Sequence, residues 1–248
     1  MKLFVFFMFF ALLLNFSVCA DDSIAGFVYL GTHTYSCGGQ THTVKEYRHI
    51  TTTMEFVLLP GNSEIKPFLM SKYEVPQAVW KSVMGTNPSH FEGANRPVEQ
   101  VSWIDCESFC EKTGLSLPTS EQWEYAYRAG TSTLYYWGDE PSRDYMWYSD
   151  LEPSFNRDGS SKPIGKKKPN AFGLYDMSGN VWEWCKDEYR IPKWRAEEKR
   201  ETPGVYYNYR GGSFFDPAEN AATDYIYGDH LEYSNADLGF RVCKSLHK

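Results

Sequence analysis

The sequence has no surplus of positive charge. Its 25 lysines and arginines face 32 aspartates and glutamates, a net charge of −7. A general nucleic-acid or anionic-membrane binder draws its affinity from lysine and arginine, so both roles are excluded. There is no paired C-x-x-C motif and hence no strong zinc signature. No internal repeat is visible, and no Ser/His/Asp or histidine-metal constellation stands out. Beyond residue 131 the signals that start and stop helices disappear, and short aromatic runs alternate with Gly, Pro, Asn and Asp. Irregular stretches of that length are functional or pinned by a metal.

What is present begins at the N-terminus. Lys2 precedes an apolar run from Leu3 to Leu14, and Val18-Cys19-Ala20 offers a small-residue cleavage site before Asp21. Residues 1–20 therefore read as a secretory signal peptide. The run is short for a bilayer span of about 20 residues, and Val18 is bulky for a site preceding a lipidated cysteine. No second long apolar run follows, so no stable membrane span is expected after cleavage. The expected location is secreted or periplasmic. Five cysteines remain, Cys37, Cys106, Cys110, Cys185 and Cys243. An oxidising compartment favours disulfides, and the odd count leaves at least one thiol free or paired with another chain. Eighteen tyrosines and eight tryptophans suit a core and also a wet binding groove, because each ring carries a polar tip.

Residues 21–51 are rich in Thr, His and Gly and read as an N-terminal arm or short strands. His33, Cys37 and His42 lie close together there, but their spacing fits no standard ligand pattern. The main domain is expected over 52–246. "MEFVLLPG" (54–61) and "FLMSKYEV" (68–75) read as strands. "PQAVWKSVMG" is a short helix entered at Pro76 and stopped by Gly85. In "SWIDCESFCEKTG", Ser102 and Asp105 form a capping box and Gly114 ends the helix. "LPTSEQWEYAYRAG" repeats this with Thr119, Gln122 and Gly130.

"GLYDMSGNVWEW" (173–184) sets Asp176, Gly179 and Glu183 within eight residues. Calcium takes carboxylate and carbonyl oxygens, so such a loop can wrap that ion. A tight turn with hydrogen-bonded carboxylates explains the same residues.

The longer stretch "PNAFGLYDMSGNVWEW" resembles the signature of the formylglycine-generating enzyme, or sulfatase-modifying factor, family. The similarity extends in order through "SKYEVPQAVWKSVMGTNPSHF", "NRPVEQVSWIDCESFC", "LSLPTSEQWEYAYRAG", "YYWGD", "YRGGSF" and "ADLGFRVC", covering about residues 52–244. The resemblance implies an α+β, C-type-lectin-like fold with little regular secondary structure and structural calcium. It implies a calcium held by the side chains of Asp176 and Glu183 and the carbonyls of Gly179 and Val181. The loop "YSDLEPSFNRDGSSKPIG", where the family holds a second calcium, does not match clearly. The resemblance also implies a Cys110–Cys243 disulfide, leaving Cys185 as the candidate free thiol. Arg210 and Arg241 are expected to pair with carboxylates or loop carbonyls.

The family's founding members oxidise a sulfatase cysteine with O2 and copper, using two cysteines spaced as G-G-S-x-x-C-x4-C. Here those positions are Asp216 and Ala221. Cu(I) prefers soft thiolates, so copper is not expected. Other relatives are variable receptors whose diversified residues lie between the Gly-Gly-Ser and Leu-Gly-Phe-Arg motifs. That stretch here offers Asp216, Asn220, Asp224, Tyr225, Tyr227, Asp229, His230, Tyr233 and Asn235 as ligand-binding candidates. The palette resembles a paratope, with aromatic area and adaptable polar groups; an ordinary polar surface loop has the same composition. Two functions follow. One is a secreted, non-copper module for an unknown protein, peptide or glycan. The other is an enzyme, either a formylglycine-generating oxidase or a relative with different oxidative chemistry.

Overall fold

The computed structural model describes residues 22–149, 159–190 and 204–246. The expected signal peptide and half of the loop where the family holds a second calcium lie outside them. Five antiparallel strands form one sheet: β1 (Phe27–Cys37), β2 (Gln40–His49), β3 (Glu55–Leu59), β4 (Phe68–Ser71) and β9 (Cys243–Ser245), in the order β1-β2-β3-β4-β9. The β1–β2 hairpin turns at Gly38, whose φ is +56° and where a Cβ would stand 2.3 Å from the Tyr136 carbonyl oxygen. A second sheet has the order β7-β6-β5-β8, from β5 (Trp182–Glu188), β6 (Tyr206–Arg210), β7 (Ile226–His230) and β8 (Leu238–Gly239). Only β5 and β8 run parallel within it.

The expected boundary between residues 51 and 52 does not separate structural units. β2 pairs directly with β3, Lys45 to Arg48 facing Leu58 to Glu55, so the supposed arm is half of a sheet. His33, Cys37 and His42 do not converge. His42 bonds the Ala129 carbonyl at 2.9 Å, His33 lies 3.9 Å from Glu46, and Cys37 is buried.

Three helices follow the sequence signals closely. α1 (Gln77–Met84) has Pro76 at its N-cap, one residue earlier than the first-turn position expected, and Gly85 left-handed at its C-cap. α2 (Trp103–Thr113) and α3 (Ser120–Arg128) both begin with the expected capping boxes. α3 ends at Ala129, itself left-handed at φ 45°, one residue before Gly130. The first core cluster stacks Trp80 on Phe109 at 5.7 Å, with Phe240 edge-on to both. The second packs Trp123, Tyr127, Met177 and Cys185 together.

The expected Cys110–Cys243 bridge is not formed. All five described cysteines are buried free thiols. Cys243 Sγ instead sits 3.5 Å from Ser116 Oγ and donates weakly to Gln122 Oε1 at the start of α3.

Between the sheets lies one buried ion pair. Arg241 Nε and Nη2 donate to the two oxygens of Glu183, each at 2.7 Å, and neither side chain is more than 1% exposed. Removing one partner strands the other charge in the interior, which costs about 3–5 kcal/mol. Arg241→Met is therefore expected to lose that much stability in urea unfolding, and Arg241→Met with Glu183→Gln to lose less. A single-variant loss under about 1 kcal/mol would contradict the assignment.

Candidate functional site

The signature loop is held in an unusual backbone. Asp176 and Asn180 both have positive φ, 53° and 64°, and a Cβ at Gly179 would stand 2.0 Å from the Trp147 carbonyl oxygen. Asp176 is buried. Its Oδ2 accepts from Gly165 N at 2.5 Å and its Oδ1 has no partner. Burial, with the Glu183 charge adding, pushes the Asp176 carboxyl up to about 6. Glu74 is buried beside it, accepting from Asn180 Nδ2 at 2.8 Å and Val181 N at 3.3 Å. Burial and the charges of Asp176 and Glu183 push the Glu74 carboxyl well upward.

Three buried carboxylates thus share the single guanidinium of Arg241. The excess negative charge and the orphan oxygen of Asp176 suit a hard cation. Glu183 has less to offer, because Trp123 Nε1 also donates to its Oε2 at 2.6 Å. Among the described residues no three carboxylate, imidazole or thiol groups converge as a metal cluster. A calcium here would rely on the carbonyls of Gly179 and Val181.

The second region is built around position 216. Asp216 lies between the Gly211-Gly212 turn and a short 3-10 turn, Ala218–Ala221. Its Oδ2 accepts from Trp182 Nε1 at 2.8 Å and Ser213 Oγ at 2.5 Å, and its Oδ1 from Asn220 Nδ2 at 3.1 Å. Ser213 Oγ also lies 3.0 Å from Asp237 Oδ2. The backbone N–H of Trp182 donates to the Asp237 carbonyl at 2.8 Å, so one tryptophan positions both acids. Asp237 Oδ1 is buried without a partner. Burial, then the Asp216 charge, pushes its carboxyl from 3.8 up to about 6.

Ala221 does not face this network. It is 1% exposed and packs with Tyr135, Met146 and Ala218. Its methyl abuts Gly212, and its carbonyl accepts from Tyr127 Oη and Ser178 Oγ. A hard carboxylate that already accepts three hydrogen bonds, and a methyl group, do not fit the soft two-thiolate copper site.

Of the expected ligand residues, Asp216, Asn220, Tyr225 and Tyr227 gather. The Tyr225 ring is 5.9 Å from Trp182, Trp182 is 5.2 Å from Tyr209, and Tyr209 is 5.5 Å from Tyr227. Tyr233 joins them at the exposed edge, its phenol pushed up by burial and by the charges of Asp229 and Asp237. Asn235 is exposed, its carbonyl accepting from Gln100 N and Leu238 N. Asp224 is exposed too. His230 stands at the far end of β7, 5.9 Å from Tyr206 and 4.0 Å from Glu232, away from the acid pair. Trp182, Ser213, Asp237 and Glu99 are site residues that sequence reasoning did not select. All four stood inside recognised motifs, Glu99 in "NRPVEQVSWIDCESFC" and Asp237 in "ADLGFRVC", but nothing in the motifs assigned them a role.

This arrangement belongs to a known family. The sulfatase-modifying factor enzyme 1-like domain matches residues 31–246, and the chain is a member of that family. It is 29% identical to "Chaperone protein LppX" of Paenibacillus barcinonensis, over 74% of this chain and 82% of that protein. It is 36% identical to "Formylglycine-generating enzyme" of Mycobacterium tuberculosis, over 46% of this chain and 41% of that one. It is 32% identical to "Inactive C-alpha-formylglycine-generating enzyme 2" of Mus musculus, over 69% of this chain and 56% of that one. The chain thus matches about half the length of the latter two relatives. Among solved structures, "Treponema denticola variable protein 1" aligns with a TM-score of 0.58 and 25% identity, over 86% of this chain and 98% of that one. The α+β architecture expected from the motifs is the one observed. No helix among the described residues is long and apolar enough to cross a membrane.

The Asp237 carboxyl carries a pH signature. A raised carboxyl holds its proton more tightly folded than unfolded, so its contribution to stability is complete below about pH 4 and is lost as pH rises through about 6. Asp237→Asn should remove that penalty, raising stability at pH 7 by on the order of 1–2 kcal/mol and flattening the profile between pH 4 and 6. Thermal melts across that range test it; parallel profiles for the two proteins would refute it.

Proposed function

We propose that this chain is an exported member of the family that binds a protein, peptide or glycan on the face formed by Trp182, Asp216, Tyr225 and Tyr227, without copper-dependent cysteine oxidation. The observation that carries this reading is the Asp216 carboxylate. It is committed to three donors where thiolate chemistry would require a free sulfur, and its companion position is a buried alanine methyl. The aromatic wall beside it offers area with few rotatable bonds, the composition of adaptable binding surfaces. A relative named an inactive formylglycine-generating enzyme and a structural neighbour named a variable protein support the same direction. The name of the Paenibacillus relative, a chaperone, favours a protein ligand. The oxidase reading draws on the identity to the mycobacterial enzyme, which covers under half of either chain.

The N-terminal signal peptide belongs to this reading, as does a structural calcium held by Asp176 and Glu183 with the carbonyls of Gly179 and Val181. Such an ion supplies the positive charge that three buried carboxylates lack. At calcium concentrations 100 times the dissociation constant, mass action contributes about 2.7 kcal/mol. Chelation should therefore lower the melting temperature, and Asp176→Asn should abolish most of the difference. Identical melts with and without chelator would remove calcium from the account.

The chemistry has a direct assay. Incubation with Cu(I), O2 and a Cys-x-Pro-x-Arg peptide should leave the peptide cysteine unchanged in mass spectrometry. Aldehyde formation by the unmodified protein would return it to the oxidases.

A further inference from the structure

Resting on that binding role, we propose that the Asp216–Asp237 pair, walled by Trp182 and Tyr225, receives the primary ammonium of a lysine side chain presented by a peptide partner.

The acid pair lacks an ion-pair partner, and Asp237 lacks donors. No ion pair among the described residues involves Asp216, Asp237 or Glu99. The Ser213 hydroxyl has a single proton, yet it lies within bonding distance of both aspartates, so it satisfies only one at a time. Asp237 Oδ1 has no donor at all.

A second, separate observation comes from the buried side. Glu99 is 0% exposed; its Oε1 accepts from Phe91 N at 2.7 Å, while its Oε2 has no partner. The segment carrying Glu99 runs beside the one carrying Asp237: Gln100 N donates to the Asn235 carbonyl at 2.9 Å, and a Cβ on Gly239 would stand 2.3 Å from the Val98 carbonyl oxygen. A wholly buried acceptor left open behind two half-buried carboxylates marks a place where an incoming donor is missing.

The surroundings choose among cations. An ammonium is a compact point charge with three donors, whereas a guanidinium needs a planar fork of paired acceptors. A divalent ion would need a denser oxygen ligand set than the two carboxylates and one hydroxyl gathered here. Trp182 and Tyr225 offer ring faces that attract a cation. The aromatic wall continues through Tyr209 and Tyr227 and offers apolar surface along which a four-carbon stem lies with its charged tip inward. A peptide lysine supplies that stem; a peptide N-terminal amine does not.

The test titrates the mature chain by NMR with an N-acetylated, C-amidated peptide carrying one lysine. Parallel arms use the same peptide with Nε-acetyl-lysine, with arginine, and with a free N-terminus but no lysine. Saturable binding of the lysine peptide is expected, weakened about tenfold or more by lysine acetylation, by Asp237→Asn and by Asp216→Asn. The acetylated-peptide arm needs no variant, so it stands even if a substitution perturbs folding. Equal binding of the lysine and acetyl-lysine peptides, equal or tighter binding in the arginine or free-N-terminus arm, or no saturable binding of the lysine peptide up to millimolar concentration overturns the proposal. A neutral peptide or glycan whose binding is lost in Tyr227→Ala but kept in Asp237→Asn overturns the lysine assignment and leaves the binding role intact. Aldehyde formation in the copper assay overturns the binding role itself.

Discussion

The Arg241–Glu183 pair is the contact on which both sheets depend. Glu183 lies on β5, and Arg241 lies on the short segment between β8 and β9. Arg241 also donates from Nη1 to the Ser71 carbonyl at the end of β4, and from Nη2 to the Tyr175 carbonyl in the signature loop. Glu183 in turn accepts from Trp123 on α3. One guanidinium therefore ties two sheets, a helix and the loop that precedes β5. Desolvating both charges is costly, and only near-complete hydrogen bonding offsets it. Four donor contacts from Arg241 meet that demand.

The pair also fixes what the neighbouring residue does. Successive side chains of a strand point to opposite faces. With Glu183 drawn inward to Arg241, Trp182 is sent the other way, where its indole N–H reaches Asp216. β8 pairs in parallel beside it, Trp182 opposite Leu238, which brings the adjoining Asp237 carbonyl to the Trp182 N–H. A slip of one residue in β5 would take Glu183 from Arg241 and the indole from Asp216. The interior ion pair and the ligand face are thus two sides of one register.

Helices, their caps and the family motifs were legible in the sequence because each is a local statement. Ser102 with Asp105 and Thr119 with Gln122 are contacts three residues apart, and they formed as read. The N-terminal hairpin was underestimated because what packs on its turn, the Tyr136 carbonyl, is distant in sequence. The Cys110–Cys243 bridge was expected from the family resemblance; in the structure Cys243 Sγ is a free thiol 3.5 Å from Ser116 Oγ. At the site, Asp216 and the tyrosines could be chosen from composition. Asp237 could not, because its meaning comes from a serine twenty-four residues away. Glu99 stands inside "NRPVEQVSWIDCESFC", yet its role likewise comes from contacts outside that motif.

The differences at the family's two cysteine positions, Asp216 and Ala221, are confined to side chains. The backbone around Ala221 remains tightly used, its carbonyl taking two hydroxyl donors and Gly212 packing against its Cα. Position 216 keeps its place beside Ser213 and Trp182, yet a carboxylate there draws donors toward itself instead of offering a soft sulfur. A cluster of acceptors next to electron-rich rings stabilises positive charge and destabilises negative charge. A site of that polarity favours holding a cation over building up an anion. That polarity agrees with the binding role proposed for this face, and the two sheets supply its frame.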